Sequence, residues 1–289
     1  MGKLTPESKV VLLYRKNDLD SAACEVVCRE LFSRLTAIPM GGSDLKDYDA
    51  DSVDCDFVFQ VCLGPVPDSS NKGNRFAFEG ISCSGEASGV KSFHKPNTCA
   101  ARTLKIMMEK GMGVDVSYLD RFLDLVEDRV RRENKNPDSA VVELLFRKCS
   151  RSVFVDRFGD PLFEITDSDR DLLRAETENA KRVIDAARMM LGGRVLIVED
   201  SGFSEFAVDL IFEEHPEVDV VCWLWFEFGG SVRARNGLSG FSLHGIVKKC
   251  WSNSGSNDKA GGFKCENKEE MVLGVDRFVK TVGSVLQKC

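Results

Sequence analysis

The sequence predicts an α/β protein of one large or two medium domains. Three observations carry this. Near the N-terminus an apolar run at residues 9–14 passes through an acidic turn into an amphipathic helix, the opening of an α/β unit. Near the C-terminus residues 229–263 read as strand, polar turn, short helix, Gly/Ser/Asn-rich loop and strand. Between them, helical and strand periodicities alternate over a chain of 289 residues, long enough for one large or two medium domains.

Residues 9–14 are Lys9 followed by Val10, Val11, Leu12, Leu13 and Tyr14, the pattern of a buried strand. Asn17 or Asp18 caps the helix that follows, and Ala23, Val26, Val27 and Leu31 give it a buried face. Residues 36–40 and 56–62 read as strands, the second ending at Cys62. Residues 76–81 read as another, followed by Ser82, Cys83 and Ser84. Asn97 or Thr98 caps a helix carrying Ala100, Leu104, Met107 and Met108. Residues 114–132 and 140–148 form two more helices, and residues 150–165 bridge the halves. A helix starts at residues 166–169 and runs to about Leu191, where Gly192 and Gly193 end it. A strand at 194–198, a helix at 205–213 and a strand at 218–226 lead into the C-terminal stretch, whose short helix spans 241–250. An amphipathic helix at 268–287 closes the chain. The expected division is 1–150, a connecting segment at 151–192, and 193–289.

The composition is that of a soluble globular protein: 43% hydrophobic and 29% charged residues. A net charge of -7 argues against broad non-specific nucleic-acid binding but leaves room for a local basic cleft. No apolar run approaches the length of a membrane span, and no secretory signal opens the chain, so a cytoplasmic location is expected. None of the eleven cysteines forms a C-x-x-C pair, which argues against a zinc ribbon and for reduced, buried thiols. His94, His215 and His244 are isolated and read as structural imidazoles.

Two stretches hold chemistry. The turn containing Asp18 and Asp20 reads either as a helix cap or as a metal site at the carboxyl ends of parallel strands. In residues 231–235, alternation puts Arg233 and Arg235 on one face and Val232 and Ala234 on the other. That is either an exposed basic strand or a grip for a phosphate or carboxylate, with the small polar loop 252–259 able to approach an anion closely.

The order Leu13, Tyr14, Arg15, Lys16, Asn17, Asp18, Leu19, Asp20, Ser21, Ala22, Ala23 resembles the first motif of the DHH phosphoesterase superfamily. The order Ser231, Val232, Arg233, Ala234, then a helix, then Asn257, Asp258, Lys259, Ala260, Gly261, Gly262, Phe263 resembles its second, DHHA1, subdomain. The resemblance spans roughly residues 9–263. It implies a parallel-sheet DHH-like domain and a smaller α/β DHHA1-like domain with a ligand cleft between them, and it makes Arg233 the substrate-binding arginine. Arg235, Asn257 and Lys259 would assist it. The family's hydrolases hold two divalent cations, usually manganese, that activate water and clamp a phosphate. At the family's metal-ligand positions this chain has Arg15, Cys62, Ser82, Cys83 and Ser84. Only Asp20, with Asp18 and Asp128, remains as hard-ligand material.

The expectation is therefore a catalytically degenerate member without a cofactor. It would bind a nucleotide, a short single-stranded nucleic acid or a protein partner, and Arg15 would replace the missing metal charge by pairing with Asp18 and Asp20. The alternative is an active phosphoesterase with a reduced manganese or magnesium site on Asp18, Asp20 and Asp128.

Overall fold

Apolar residues on both faces make β1 (Lys9–Arg15) a central strand. It lies between β2 (Arg34–Met40) and β3 (Phe57–Val61), with β4 (Asn74–Phe78) and β5 (Lys91–Phe93) beyond. The order is β2-β1-β3-β4-β5 and every pairing is parallel. Strand alternation gathers Phe57, Phe59, Phe76, Phe78 and Phe93 on one face, where Phe59 and Phe78 rings meet at 5.6 Å and Phe78 and Phe93 stack at 5.3 Å. Val11, Leu13, Met40 and Val58 occupy the other face. The computed structural model describes residues 4–41, 54–63, 74–79, 91–93, 95, 98–131, 133–192, 194–199, 205–225, 227–235, 238, 240–256 and 259–287.

Among the described residues five helices belong to this first unit, which spans Met1–Arg170. They are α1 (Leu19–Leu31), α2 (Ala100–Met112), α3 (Asp120–Arg131), α4 (Pro137–Lys148) and α5 (Arg151–Gly159). Asp18 is the cap of α1, its side chain accepting from the Ser21 N–H at 2.7 Å. The cap of α2 is neither Asn97 nor Thr98 but Cys99, whose Sγ accepts from the Arg102 N–H at 3.4 Å. The helix expected over 114–132 begins later: Gly113, at φ 69°, ends α2, and a 3₁₀ turn at Ser117–Leu119 precedes α3. Residues 151–159 are helical and lie within the first unit. Phe154 and Phe158 pack on Phe122, with centroids at 6.1 and 4.7 Å. Arg151 donates to Glu25 at 2.9 Å and to the Ser21 carbonyl at 2.8 Å while lying over the Tyr14 ring. These links tie α5 to α1 and β1.

The second unit, Asp171–Cys289, is a layered α/β/α structure. Its strands are β6 (Arg188–Gly192), β7 (Val195–Glu199), β8 (Val220–Trp225), β9 (Gly229–Ala234), β10 (Ser254–Ser256) and β11 (Ala260–Lys264). The order is β10-β11-β9-β8-β7-β6, antiparallel except for β7 and β8. On one face Leu196, Val198, Val221 and Trp223 pack on Ala180 and Ile184 of α6 (Asp167–Ala186) and on Ala207, Val208 and Ile211 of α7 (Glu205–Glu214). On the other, Ile197, Cys222 and Val232 pack on α8 (Ile246–Cys250) and α9 (Lys268–Leu286).

Two expectations fail here. The helix expected to reach Leu191 stops at Ala186, because Met189, Met190 and Leu191 pair antiparallel with Val198, Ile197 and Leu196. Gly192 thus ends a strand, not a helix; ladder pairing overrides local helix propensity. The helix expected over 241–250 is only α8, preceded by Gly245 at φ 80°. Among the described residues no helix is long and apolar enough to cross a membrane.

Candidate functional site

In the first sheet the chain reverses its direction of growth between β1 and β3, so the loops leaving their carboxyl ends start side by side. Open parallel sheets place ligands at such a point. Both loops carry a non-glycine residue in the left-handed region, Asn17 at φ 55° and Cys62 at φ 54°. Asp20 lies in the first turn of α1 and is 3% exposed. Its Oδ2 accepts from the Ala100 N–H at 2.8 Å and its Oδ1 from the Ala101 N–H at 2.9 Å. Both oxygens therefore serve the N-terminus of α2, where amides lack partners within the helix. Burial and then repulsion from Asp18 push the Asp20 carboxyl up to about 7, against the Ala101 and Ala100 amides and a hydrogen bond from the Cys62 thiol. Thiols crowd the same place: burial, followed by the nearby Asp20 charge, raises Cys24 and Cys99 far above the usual thiol range.

Arg15 is exposed, and among the described residues no ion pair joins it to Asp18 or Asp20. The expected charge replacement is absent; Arg151 comes near on the neighbouring turn of α1, but it meets the Ser21 carbonyl and Glu25, not Asp18 or Asp20. The physical reason is strand geometry: Arg15 ends β1 on the face opposite Tyr14, whereas Tyr14 faces Arg151. Asp128 is not brought to this point either. Its carboxylate accepts from the Lys135 N–H at 3.0 Å and the Asn136 N–H at 3.2 Å, pinning the turn between α3 and α4. Burial raises its pKa, but the bonds from Ser139, Lys135 and Asn136 outweigh that and hold the carboxyl below the usual range. Ser82, Cys83, Ser84, His94 and Asn257 lie outside the described residues.

In the second unit, alternation along β9 buries Val232 and Ala234 and leaves Arg233 and Arg235 partly open. The two arginines then diverge. Arg235 donates to the carbonyls of Val218 (2.8 Å), Phe212 (2.6 Å) and His215 (2.6 Å), which closes the C-terminal end of α7. It is a structural clamp, not an anion grip, because those acceptors are backbone and cannot leave. Arg233 instead holds a side-chain carboxylate. Its Nε–H lies 3.0 Å from Glu205 Oε1 and 3.2 Å from Oε2, and Nη2 also donates to Oε1. Nη1 donates to Ser231 Oγ at 2.5 Å and to the Val232 carbonyl at 3.0 Å. Lys259 is half-buried, and its carbonyl accepts from the Ala234 N–H at 2.8 Å. His244 meets the Ser256 carbonyl at 2.9 Å, and His215 meets Glu217 at 3.2 Å.

No protein-family model matches this chain, and no curated protein matches it in sequence. Solved structures do match. The pGpG-specific phosphodiesterase PggH from Vibrio cholerae superposes with a TM-score of 0.64 at 10% identity, covering 96% of this chain and 99% of that one. An exopolyphosphatase-related protein from Bacteroides fragilis gives 0.60 at 10% identity, covering 97% and 94%. The chain has a DHH-like fold. RecJ from Thermus thermophilus in complex with Mn2+ gives 0.59 at 11% identity, covering 96% of this chain and 52% of that RecJ, so this chain spans about half its length.

The DHH fold raises the question of whether these residues fit a pair of divalent cations. Such a pair needs several free carboxylates and imidazoles at one point. Asp20 has committed both oxygens to helix amides, Asp18 caps α1, and Asp128 pins a distant turn. Among the described residues no group of three or more His, Cys, Asp or Glu side chains could hold a metal ion. The described residues therefore do not fit the metal pair. Sequence reasoning missed Glu205, Arg151 and the Ala100 and Ala101 amides. The one signal for the amides was the pair of small residues opening a helix, which lets a carboxylate approach closely.

Proposed function

We propose that this chain is a DHH-fold protein that binds a phosphate-bearing ligand, a nucleotide or short single-stranded nucleic acid, without two-metal hydrolysis. The observation that carries the reading is Asp20: its two oxygens cap α2 instead of standing free at the switch point. Arg233 supports the binding half, because its planar donors already close on a carboxylate and suit a phosphate equally well. The neighbours named for pGpG and for Mn2+-bound RecJ lend the ligand class.

Two measurements test this. Hydrolysis of pGpG, a short single-stranded oligonucleotide and a generic phosphodiester is followed with manganese present, and none is expected. Binding of the same probes is followed by calorimetry, where Arg233→Ala should weaken affinity about tenfold or more. Turnover that Asp20→Ala abolishes in a chain still folded by circular dichroism would overturn the reading in favour of a reduced-metal phosphoesterase. A chain that binds none of the probes would point to a protein partner instead.

A further inference from the structure

Arg233 and Arg235 sit two residues apart on one strand face, yet their partners differ in kind. The Arg235 guanidinium nitrogens donate to backbone carbonyls at the end of α7 or just beyond it. Releasing them would require the unit to open. The main partner of Arg233 is the Glu205 carboxylate, carried on a side chain with three rotatable bonds. The pair is largely buried, 15% and 11% exposed by side chain, so neither charge is well solvated where it stands. A carboxylate held by Nε and Nη2 of an arginine presents two oxygens to two donors, the same arrangement in which that edge takes a phosphate. Glu205 also opens α7, so a carboxylate released from Arg233 keeps a favourable position by the amides and positive end of a ten-residue helix.

We propose that Glu205 is a built-in competitor at the Arg233 anion site, and that it sets a threshold of affinity which terminal phosphate groups pass more readily than internal phosphodiesters. This rests on the proposed phosphate-binding function and deepens it. The argument is one of charge. An internal phosphodiester carries one negative charge, as Glu205 does, so exchanging one for the other gains little and leaves two anions side by side. A terminal phosphate carries about −1.5 to −2 charges at neutral pH and three strong acceptor oxygens. It has one oxygen more than Nε and Nη2 use, and Ser231 Oγ, which accepts from Nη1, would meet it by turning its hydroxyl from the Gly261 carbonyl at 3.3 Å. Only such a group out-competes the resident carboxylate by a wide margin.

The test is calorimetric titration of the full chain, without added metal, using pGpG and the same dinucleotide lacking its 5′-phosphate. The wild-type chain is expected to prefer pGpG by about tenfold or more. Glu205→Gln keeps the shape of the side chain and removes its charge. It should tighten both ligands by the same factor, severalfold, and leave the preference for pGpG in place. Arg233→Ala should lose both. If Arg233→Ala weakens binding but Glu205→Gln leaves both affinities unchanged, the competitor role is overturned and the phosphate-binding function stands. If neither the wild-type chain nor Glu205→Gln binds either probe, both readings fall. A measurement that needs no Glu205 variant covers a misfolded mutant: the Arg233 Nε–H resonance of the wild-type chain should shift on adding pGpG, and an unmoved resonance at saturation overturns the proposal.

Discussion

Replacing Asp20 by asparagine tests the cap of α2 through its pH dependence. In the folded chain the carboxyl titrates near 7 instead of its ordinary 3.8, so across that interval the folded state holds more protons than the unfolded one. Stability then falls as pH rises, and it stops falling above the folded pKa. At 1.36 kcal/mol per unit, the wild-type chain should lose roughly 2–3 kcal/mol between pH 5 and pH 8 from this group alone. The asparagine side chain cannot titrate, so that loss is absent from the variant. Asparagine has a cost of its own. One of the Ala100 and Ala101 amides would face its NH2 group instead of an oxygen, a pH-independent penalty of about 1–3 kcal/mol. The variant should therefore be less stable at pH 5, with the gap shrinking by roughly 2–3 kcal/mol at pH 8. The assay must report on the first unit. All three tryptophans, Trp223, Trp225 and Trp251, lie in the second, so tryptophan fluorescence would follow the wrong transition. Urea unfolding followed by far-ultraviolet circular dichroism, with hydrogen exchange at the Ala100 and Ala101 amides, reads the right one. A gap that is constant or widens from pH 5 to pH 8 would refute the reasoning.

Three further outcomes are expected. Arg15→Ala should change stability by no more than about 0.5 kcal/mol in urea, because the side chain is exposed and pairs with neither Asp18 nor Asp20; a loss above about 1.5 kcal/mol would restore the charge-replacement idea. Arg235→Ala should destabilise the second unit by about 2–4 kcal/mol, seen in tryptophan fluorescence, since three carbonyls lose a charged donor at once. Gly274→Ala should cost that unit about 1–3 kcal/mol: a Cβ there would lie 2.0 Å from Nε1 of Trp251, whose ring is stacked on Phe263 at 3.8 Å and cannot retreat. A Gly274→Ala chain as stable as wild type would show that the Trp251 ring has room to move.

Much of the fold was legible in the residues because its signals are local. Residues 10–14 announced a buried central strand, and Val232 and Ala234 announced the buried face of β9, through a two-residue period that needs no knowledge of neighbours. The errors came where a distant strand or a backbone break decided. Leu191 pairs with Leu196, and that ladder, not propensity, set the state of residues 188–192. A 3₁₀ turn at Ser117–Leu119 delayed to Asp120 a helix that apolar spacing started at residue 114.

What the sequence determined by itself was the order of strands and helices, the likeness to the DHH fold, and the presence of an aspartate and an arginine at two telling places. Which group each of those charges meets was decided only by tertiary structure. Asp20 finds amides 80 residues away, and Arg233 finds a carboxylate 28 residues back. A buried charge takes whichever partner folding brings within about 3 Å, and that distance is set by packing between segments, to which periodicity along one segment is blind.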